Sequence, residues 1–298
     1  MFRRTREKWS PSRHRWFFLF VWSLAIPAFA GVTVKDDTGQ AVSLYHPAKR
    51  VITLAPHTME LVCAAGGCDR IVGKGSNSFY PPIARVIPEI GDNRQIDIER
   101  VAMLQPDLMV IWRHGISQRT IVQLKQLGIP VFISDPRKLD DIPDSVARLG
   151  RLLGTTATAN AESKRFRNAL ATTRKHYAKR ATVRVFYQVS DRPLYTLNGQ
   201  HYISEAIRVC GGQNVFSDLR MLAPQINVEA VLLANPDVII HTSVDAEGDG
   251  LAFWRKYPMI QAVQRGHLYK LNPDWLDRPG PRLIQGVRTM CEAIDRAR

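Results

Sequence analysis

Hydrophobic and polar positions alternate in two short stretches between residues 32 and 44, and a turn rich in Asp and Gly separates the two stretches. This pattern predicts a β-hairpin. The apolar run at 51–55 predicts a buried strand. Residues 59–65 are apolar at helical spacing and end at Gly66-Gly67, which predicts a helix with a glycine stop before a short strand at 71–73.

Strands and helices then alternate along the chain. Residues 99–104 predict a helix that leads through Pro106-Asp107 into an apolar strand at 108–112. A second helix at 121–127 ends at Gly128 and leads into the strand at 130–134. Such alternation is typical of a parallel sheet with helices on both faces.

Two segments recur later in the chain and predict a duplicated architecture. IDIERVAMLQPDLMVI begins at Ile96, and INVEAVLLANPDVIIH begins 130 residues later at Ile226. In the same order, MELVCAAGGCDRIV from Met59 resembles EAIRVCGGQNVF from Glu205 as a helix that ends in Gly-Gly before a short strand. The two echoes together predict two related α/β lobes.

Residues 142–181 carry no strand signal, and apolar side chains at spacings of three and four predict a long amphipathic helix in their second part (Phe166, Ala169, Leu170, Thr173 and Tyr177). We therefore predict an α/β fold of two Rossmann-like lobes, at 31–141 and 182–298, with mostly parallel sheets. One long rigid α-helix in the linking segment 142–181 is expected to join them. The cleft between two such lobes is where a small molecule is expected to bind.

The first 30 residues have the pattern of a secretory signal peptide. Six basic side chains precede an apolar run at 16–27, and Ala28-Phe29-Ala30 supplies a small-x-small cleavage site. Removing this segment lowers the formal net charge from +14 to +9. Export, and the absence of any nucleic-acid-binding signature in the sequence, argue against DNA or RNA as a partner. The expected product is a soluble exported protein, with an uncleaved membrane anchor as the alternative.

Motifs of catalysis are missing from the sequence. It contains no G-x-S-x-G elbow, no H-E-x-x-H and no glycine-rich dinucleotide fingerprint, and no two of its eight histidines stand four residues apart. These absences favour a binding protein without a catalytic site, cofactor or metal site. An exported metal-dependent hydrolase is the less favoured alternative.

Four cysteines in an exported chain are expected to form disulfides. Cys210 lies at a predicted helix end and Cys291 in the final helix, so a bridge between them would tie that helix to its lobe. Cys63 and Cys68 are then left either to pair locally or to remain one buried thiol and one loop thiol.

Taken in order, these segments resemble the periplasmic receptors of ABC importers for cobalamin, ferric siderophores and haem, and most closely the cobalamin branch. The resemblance covers residues 32–298 and is carried by VKDDTGQAVSLYHPAKRVITLAP, SFYPP, IERVAMLQPDLMVIW, RVCGGQNVF, VEAVLLANPDVII and NPDWLDRPGPRLI. It implies a monomeric, non-catalytic periplasmic protein that holds a ligand between two lobes and delivers it to an inner-membrane permease dimer driven by a separate ATPase.

The resemblance also implies the positions that contact the ligand. They lie in the loop 76–82, in IWRHG and in DWLDR, and comprise Asn77, Tyr80, Trp112, Arg113, Asp274, Trp275, Leu276, Asp277 and Arg278. Aromatic faces and polar side chains suit a corrin, a flat macrocycle fringed with amides. The arginines, with Arg282 nearby, suit a cobalamin phosphate or an anionic ferric siderophore equally well.

Two departures from the cobalamin branch keep a ferric siderophore or haem open as the ligand. Asn77 stands where a tyrosine is typical, and Asn93 and Arg94 lie where a tryptophan is typical. In the haem alternative, Tyr80 or a histidine would ligate the iron.

Glu99 and Glu229 occupy equivalent positions in the two echoed segments. The resemblance implies that they dock onto arginines of the permease. An acid in the first turn of a helix also stabilises that helix through its dipole, by about 0.5 kcal/mol.

Overall fold

The first lobe is built on a sheet of four parallel strands with a hairpin beside it. The computed structural model describes residues 1–2, 31–92, 95–242 and 250–298, so the predicted signal segment at 3–30 lies outside the described residues. The hairpin pairs β1 (Val32–Lys35) antiparallel with β2 (Ala41–Leu44). The sheet strands are β3 (Val51–Thr53), β4 (Ile71–Lys74), β5 (Leu108–Trp112) and β6 (Val131–Ser134). Their order across the sheet is β4-β3-β5-β6.

Helices cover this sheet and connect its strands. They are α1 (Pro56–Ala64), α2 (Ile98–Met103), α3 (Gln118–Gln126) and α4 (Asp141–Leu153). Proline is favoured in the first turn of α1 because its fixed φ suits a helix start. Gly66, with φ of +87°, lies just beyond the end of α1, as the glycine stop predicted.

The segment 142–181, predicted to hold the linking helix, contains two helices. Gly154 has φ of +68° and ends α4, and the long helix α5 (Thr156–Tyr177) follows. A Cβ at Gly150 would lie 2.1 Å from the Cβ of Ala159, so glycine there lets α4 and α5 pack closely. Since α5 also contacts α1, α6 (Tyr202–Val209) and α10 (Leu283–Asp295), it touches both lobes.

The second lobe repeats the plan of the first. Its sheet has the order β10-β7-β11-β12, and every neighbouring pair in it is parallel. The strands of this lobe are β7 (Val183–Gln188), the short hairpin β8 (Ser190–Asp191) and β9 (Leu194–Tyr195), β10 (Gly212–Asn214), β11 (Val238–Thr242) and β12 (Leu268–Leu271). Its remaining helices are α7 (Val228–Ala234), α8 (Gln261–Gln264) and α9 (Pro273–Leu276).

The internal repeat predicted from the sequence is present in the structure, with equivalent helix caps and turns in both lobes. The helices α2 and α7 begin at the N-caps Asp97 and Asn227, whose side chains accept backbone N–H groups of the first turn. Both helices are followed by a residue in the left-handed region, Gln105 at φ 44° and Asn235 at φ 39°. The strands β5 and β11 come next, so both lobes place the same helix–turn–strand unit at the same point of the chain.

A set of hydrogen bonds between an aspartate and an arginine near the start of the central strands is also present in both lobes. The Asp107 carboxylate accepts the backbone N–H of Arg50, and the Arg50 guanidinium donates to the Leu104 carbonyl. In the second lobe the Asp237 carboxylate accepts the N–H of Arg184, whose guanidinium donates to the Ala234 carbonyl. The Pro-Asp turn of each echo therefore anchors the strand that follows to its neighbour in the sheet.

Both predicted cysteine pairs form disulfides in the structure. The Cys210–Cys291 bond joins the end of α6 to α10, and the Cys63–Cys68 bond closes the end of α1 locally. Across the described ranges, no helix is long and apolar enough to cross a membrane.

Candidate functional site

Two adjoining cavities lie where the carboxyl ends of the two sheets face each other. Their volumes are about 300 Å³ and 280 Å³, and each takes its walls from both lobes. They share Trp112, Asp277 and Pro279. Loops at the carboxyl ends of parallel strands form the ligand sites of open α/β sheets, so this inter-lobe cleft is the candidate site.

The first cavity is bounded by the N-terminal end of α1, the loop after β4 and the turn after α9. Its polar or aromatic side chains are His57, Ser76, Asn77, Ser78, Asp92, Trp112, Asp274, Asp277 and Arg278. The second cavity lies on the side of β6 and α6. Its polar or aromatic side chains are Trp112, His114, Asp135, Arg137, Tyr187, His201, Tyr202 and Asp277. The cleft thus combines ring surfaces with hydrogen-bonding groups from both lobes.

Trp112 lines both cavities. It ends β5, and its ring stands at 90° to the His57 ring with centroids 5.9 Å apart. On the other side its ring lies 6.0 Å from that of His114, at 71°. Edge-to-face contacts of this kind hold the indole in place while leaving apolar surface for a ligand.

Asp277 faces both cavities from the second lobe. Its Oδ1 accepts hydrogen bonds from the Tyr187 hydroxyl at 3.0 Å and from the Thr242 hydroxyl at 2.8 Å. The side chain is open to the cleft, yet the surrounding protein atoms keep enough water away to raise its pKa above the ordinary value. The second oxygen, Oδ2, accepts no hydrogen bond from the described residues and remains available to a ligand.

The arginines of the cleft have carboxylate partners within it. Arg278 pairs with Asp274 at 2.8 Å, and Arg137 pairs with Asp135 at 3.0 Å. Asp135 also lies 3.9 Å from the half-exposed Arg113. The two cavities are lined by two arginines and four aspartates, so their lining carries no excess of positive charge.

A buried ion pair joins the two lobes beside the first cavity. The Arg282 guanidinium at the start of α10 donates to both carboxylate oxygens of Glu60 on α1, at 2.7 and 3.0 Å. Tyr80 lies over the same guanidinium, with 3.9 Å between the ring centroid and the guanidinium carbon. Burial raises the pKa of Glu60, and the contact with Arg282 opposes that rise.

Each lobe contributes one uncharged histidine to the cleft from the start of its first helix. Burial, with a smaller contribution from Arg278, lowers the pKa of His57 to about 3. Burial and the nearby Arg137 lower the pKa of His201 to about 4. His201 is also the N-cap of α6, where its Nδ1 accepts the backbone N–H of Ile203 at 3.2 Å. Both rings are therefore neutral imidazoles at neutral pH.

The structure brings together five of the nine residues expected to contact the ligand. These are Asn77, Trp112, Asp274, Asp277 and Arg278. Three others, Tyr80, Arg113 and Trp275, do not line either cavity. The positions 93–94 lie outside the described residues.

Leu276, the ninth residue expected to contact the ligand, is buried in the core. Its side chain is fully buried against α10, where a Cβ on Gly286 would lie 2.8 Å from it. Its carbonyl oxygen accepts the Tyr202 hydroxyl at 3.1 Å. Leu276 therefore anchors the DWLDR turn in the core instead of presenting a side chain to the cleft.

Ser78 lies in the loop 76–82 that was expected at the cleft, and sequence reasoning missed His57, Tyr187 and His201, which also line it. Each of them follows the carboxyl end of a strand or closes it, and that position is the signal that identifies such residues. Glu99 and Glu229 line neither cavity and are exposed in the first turns of α2 and α7. Among the described residues, no group of three or more His, Cys, Asp or Glu side chains is arranged to hold a metal ion.

Comparisons with known proteins agree with this architecture. The sequence pattern of the periplasmic binding protein family matches residues 51–275. The vitamin B12-binding protein of Vibrio cholerae is 37% identical over 246 residues, which cover 82% of this chain and 88% of that protein. The crystal structure of the periplasmic vitamin B12-binding protein of the same species superposes with a TM-score of 0.77 at 34% identity, and covers 84% of this chain and 98% of that one.

A more distant neighbour has the same fold. The periplasmic haem-binding protein of Roseiflexus sp. RS-1 superposes with a TM-score of 0.73 at 22% identity, and covers 84% of this chain and 99% of that one. The duplicated α/β lobes, the cleft between them and these matches define a substrate-binding protein of a transporter, not an enzyme. The chain belongs to the periplasmic binding protein family.

Proposed function

We propose that this protein is the periplasmic receptor of an ABC importer for cobalamin or a closely related corrinoid, bound between the two lobes. The observation that carries the proposal is the cleft itself. Trp112, Asp274, Asp277 and Arg278 converge there from both lobes, in a chain 37% identical to a vitamin B12-binding protein. The corrinoid is the cargo of such a receptor and not a resident cofactor.

The charges of the cleft disfavour an anionic ligand. Arg278 and Arg137 are held by Asp274 and Asp135, and Arg282 lies in its bidentate pair with Glu60. An anionic ferric siderophore or the carboxylates of haem would have to compete with these partners. A corrin fringed with neutral amides needs no such exchange, and finds ring surface and hydrogen-bonding groups in place.

Less supports the haem alternative. Tyr80, expected to ligate the iron in that case, lies over the Arg282 guanidinium and lines neither cavity. A ferric-siderophore or haem receptor of the same fold remains the second candidate because the Roseiflexus neighbour binds haem on this fold.

Calorimetry with a panel of ligands tests the assignment. Residues 31–298 form a compact unit of their own and are the protein to titrate. We expect one-to-one, sub-micromolar binding of cyanocobalamin and of cobinamide, and weaker binding of haemin and of a ferric siderophore. Tight binding of an iron complex without corrinoid binding would transfer the assignment to the second candidate.

Docking to the permease is the second part of the proposal. Glu99 and Glu229 are exposed at equivalent places in the two lobes, and such a pseudo-symmetric pair fits a partner made of two like subunits. Each exposed ion pair contributes up to about 1 kcal/mol. Loss of both is therefore expected to weaken docking by up to about 30-fold.

Measuring both uptake and ligand binding distinguishes a loss of docking to the permease from a loss of ligand recognition. Glu99→Ala combined with Glu229→Ala should lower uptake of labelled cobalamin while leaving the Kd for cyanocobalamin unchanged. Glu292→Ala, which removes an exposed glutamate from α10, is the matched control and should leave uptake unchanged. Wild-type uptake by the double variant would remove the docking assignment.

A further inference from the structure

Two highly exposed apolar side chains occupy the same position of the internal repeat. Met103 is 78% exposed at the end of α2, and Leu233 is 89% exposed at the equivalent place of α7. Apart from Tyr45 and the first two residues of the chain, no large apolar side chain that the structure describes is more exposed than these two. A single exposed apolar residue is ordinary on a protein surface, but a matched pair in two lobes calls for an explanation.

Helix geometry places each of these side chains beside a glutamate. Residues four apart share one face of a helix, so Glu99 lies one turn before Met103. In the same way, Glu229 lies one turn before Leu233. All four residues are exposed. Each lobe therefore presents the same small patch, which consists of an acid followed one turn later by an apolar side chain.

Packing within the lobes does not depend on the two apolar side chains. Val101 and Val231, two residues before each of them, are fully buried and join α2 and α7 to the cores of their lobes. An alanine at either exposed position would suit the helix at least as well, because alanine has the highest helix propensity. Met103 and Leu233 therefore add surface for a partner and not stability to the fold.

We propose that Met103 and Leu233 are apolar contacts of the surface that docks onto the permease, one for each of its two subunits. This inference rests on the proposed function, in which Glu99 and Glu229 supply the charged contacts. A partner built from two like subunits presents the same surface twice, and the two matched patches fit that geometry. A second copy of this chain is disfavoured, because like patches would bring glutamate against glutamate.

The composition of the patch defines the surface that it needs on the partner. It fits a cationic side chain beside an apolar recess, repeated once in each permease subunit. Burial of an apolar side chain strengthens binding through the loss of its contact with water, whereas attraction between exposed charges is screened as salt rises. The apolar and the charged contacts can therefore be distinguished by their dependence on salt.

Binding to the cobalamin permease–ATPase complex of the cell that makes this protein, held in lipid nanodiscs, tests the assignment. Met103→Ala combined with Leu233→Ala should weaken that binding at least tenfold. The factor should be the same at about 50 mM and about 500 mM NaCl. Each single variant should bind about threefold more weakly, since the two patches are equivalent and far enough apart to act independently. Glu99→Ala combined with Glu229→Ala should lose more affinity at the lower salt concentration than at the higher one.

Matched variants control for the loss of exposed apolar surface. Val122→Ala combined with Met259→Ala removes one such side chain from each lobe outside α2 and α7, and should leave docking unchanged. Met103→Leu combined with Leu233→Met keeps both positions apolar and should dock as wild type does. The Kd for cyanocobalamin and the urea midpoint should be those of wild type in every variant, because the substituted residues are exposed and line neither cavity.

The results that would overturn the inference differ from those that would remove the proposed function. Wild-type docking by Met103→Ala with Leu233→Ala, in a protein that binds cyanocobalamin, would overturn the apolar contacts alone. A lowered urea midpoint of that variant would assign the two side chains to the stability of the fold. Self-association of the wild-type protein that the variant abolishes, measured by analytical ultracentrifugation, would assign the patches to a second copy. Absence of cyanocobalamin binding by the wild-type protein would remove the proposed function itself.

Discussion

The ion pair between Glu60 and Arg282 allows a quantitative prediction of how much stability the protein loses when the pair is broken. The Glu60 side chain is 2% exposed and that of Arg282 is 15% exposed, and two hydrogen bonds join them. Arg282→Met would leave the carboxylate buried without a partner, so the carboxyl is expected to take up a proton. Protonating a carboxyl of ordinary pKa 4.5 at pH 7 costs about 3.4 kcal/mol, which sets the loss of stability.

The sign of the pH dependence follows from the same reasoning. In Arg282→Met the pKa of Glu60 is raised in the folded protein above its value in the unfolded chain. The folded variant then binds more protons than the unfolded chain above pH 4.5, so its stability falls as pH rises. Its loss relative to wild type should shrink from about 3.4 kcal/mol at pH 7 to about 1.4 kcal/mol at pH 5.5.

Equilibrium unfolding in urea at the two pH values measures these losses. Glu60→Gln leaves an arginine that stays charged, so its loss should change little with pH. Arg165→Met, which removes a 72% exposed arginine paired with Glu162 on α5, is the control and should cost less than about 1 kcal/mol. A loss below 1 kcal/mol for Arg282→Met at pH 7, or an equal loss at both pH values, would refute the reasoning.

Two further predictions concern the stability of the fold. Replacing Cys210 and Cys291 by serine removes a disulfide between residues with a sequence separation of 81. The free energy of unfolding should fall by about 4.5 kcal/mol. An unchanged urea midpoint would contradict this prediction. The pKa values of His57 and His201 in the folded protein are about 3 and about 4, against 6.5 in the unfolded chain. The unfolded chain therefore binds protons first as the pH falls. Each histidine should lower the free energy of unfolding by about 2 kcal/mol at pH 5 relative to pH 7. His201→Asn keeps an N-cap and should remove its share of that acid sensitivity; a variant as acid-sensitive as wild type would disprove the assignment.

Regular elements were predicted from the sequence because their signals are local. The strand at 108–112 is predicted to the residue, since a buried parallel strand is continuously apolar. The duplicated helix–turn–strand units were predicted because the glutamate of the first turn, the Pro-Asp turn and the strand recur at one spacing. The division of 142–181 into two helices was missed because Gly154 lies within a continuous helical pattern.

The site was predicted only in part, because its contacts are not local. Nothing near Glu60 in the sequence indicates a partner 222 residues away at Arg282. Tyr80, whose ring lies over the same guanidinium, lines neither cavity. Leu276 stands among cleft residues in the sequence, yet helix packing turns it into the core. The burial of His57, which keeps its imidazole neutral, is visible only once its surroundings are known.

Calorimetric titration of the Trp112→Ala variant with cyanocobalamin tests the central claim most directly, since Trp112 is the wall shared by both cavities. Tyr45→Ala, which removes an aromatic ring that is 90% exposed and lines neither cavity, is the matched control. The account predicts sub-micromolar one-to-one binding for wild type and control, and at least tenfold weaker binding for Trp112→Ala, a loss of about 1.4 kcal/mol or more. Equal affinity of Trp112→Ala and wild type would contradict the claim that the corrinoid binds in this cleft.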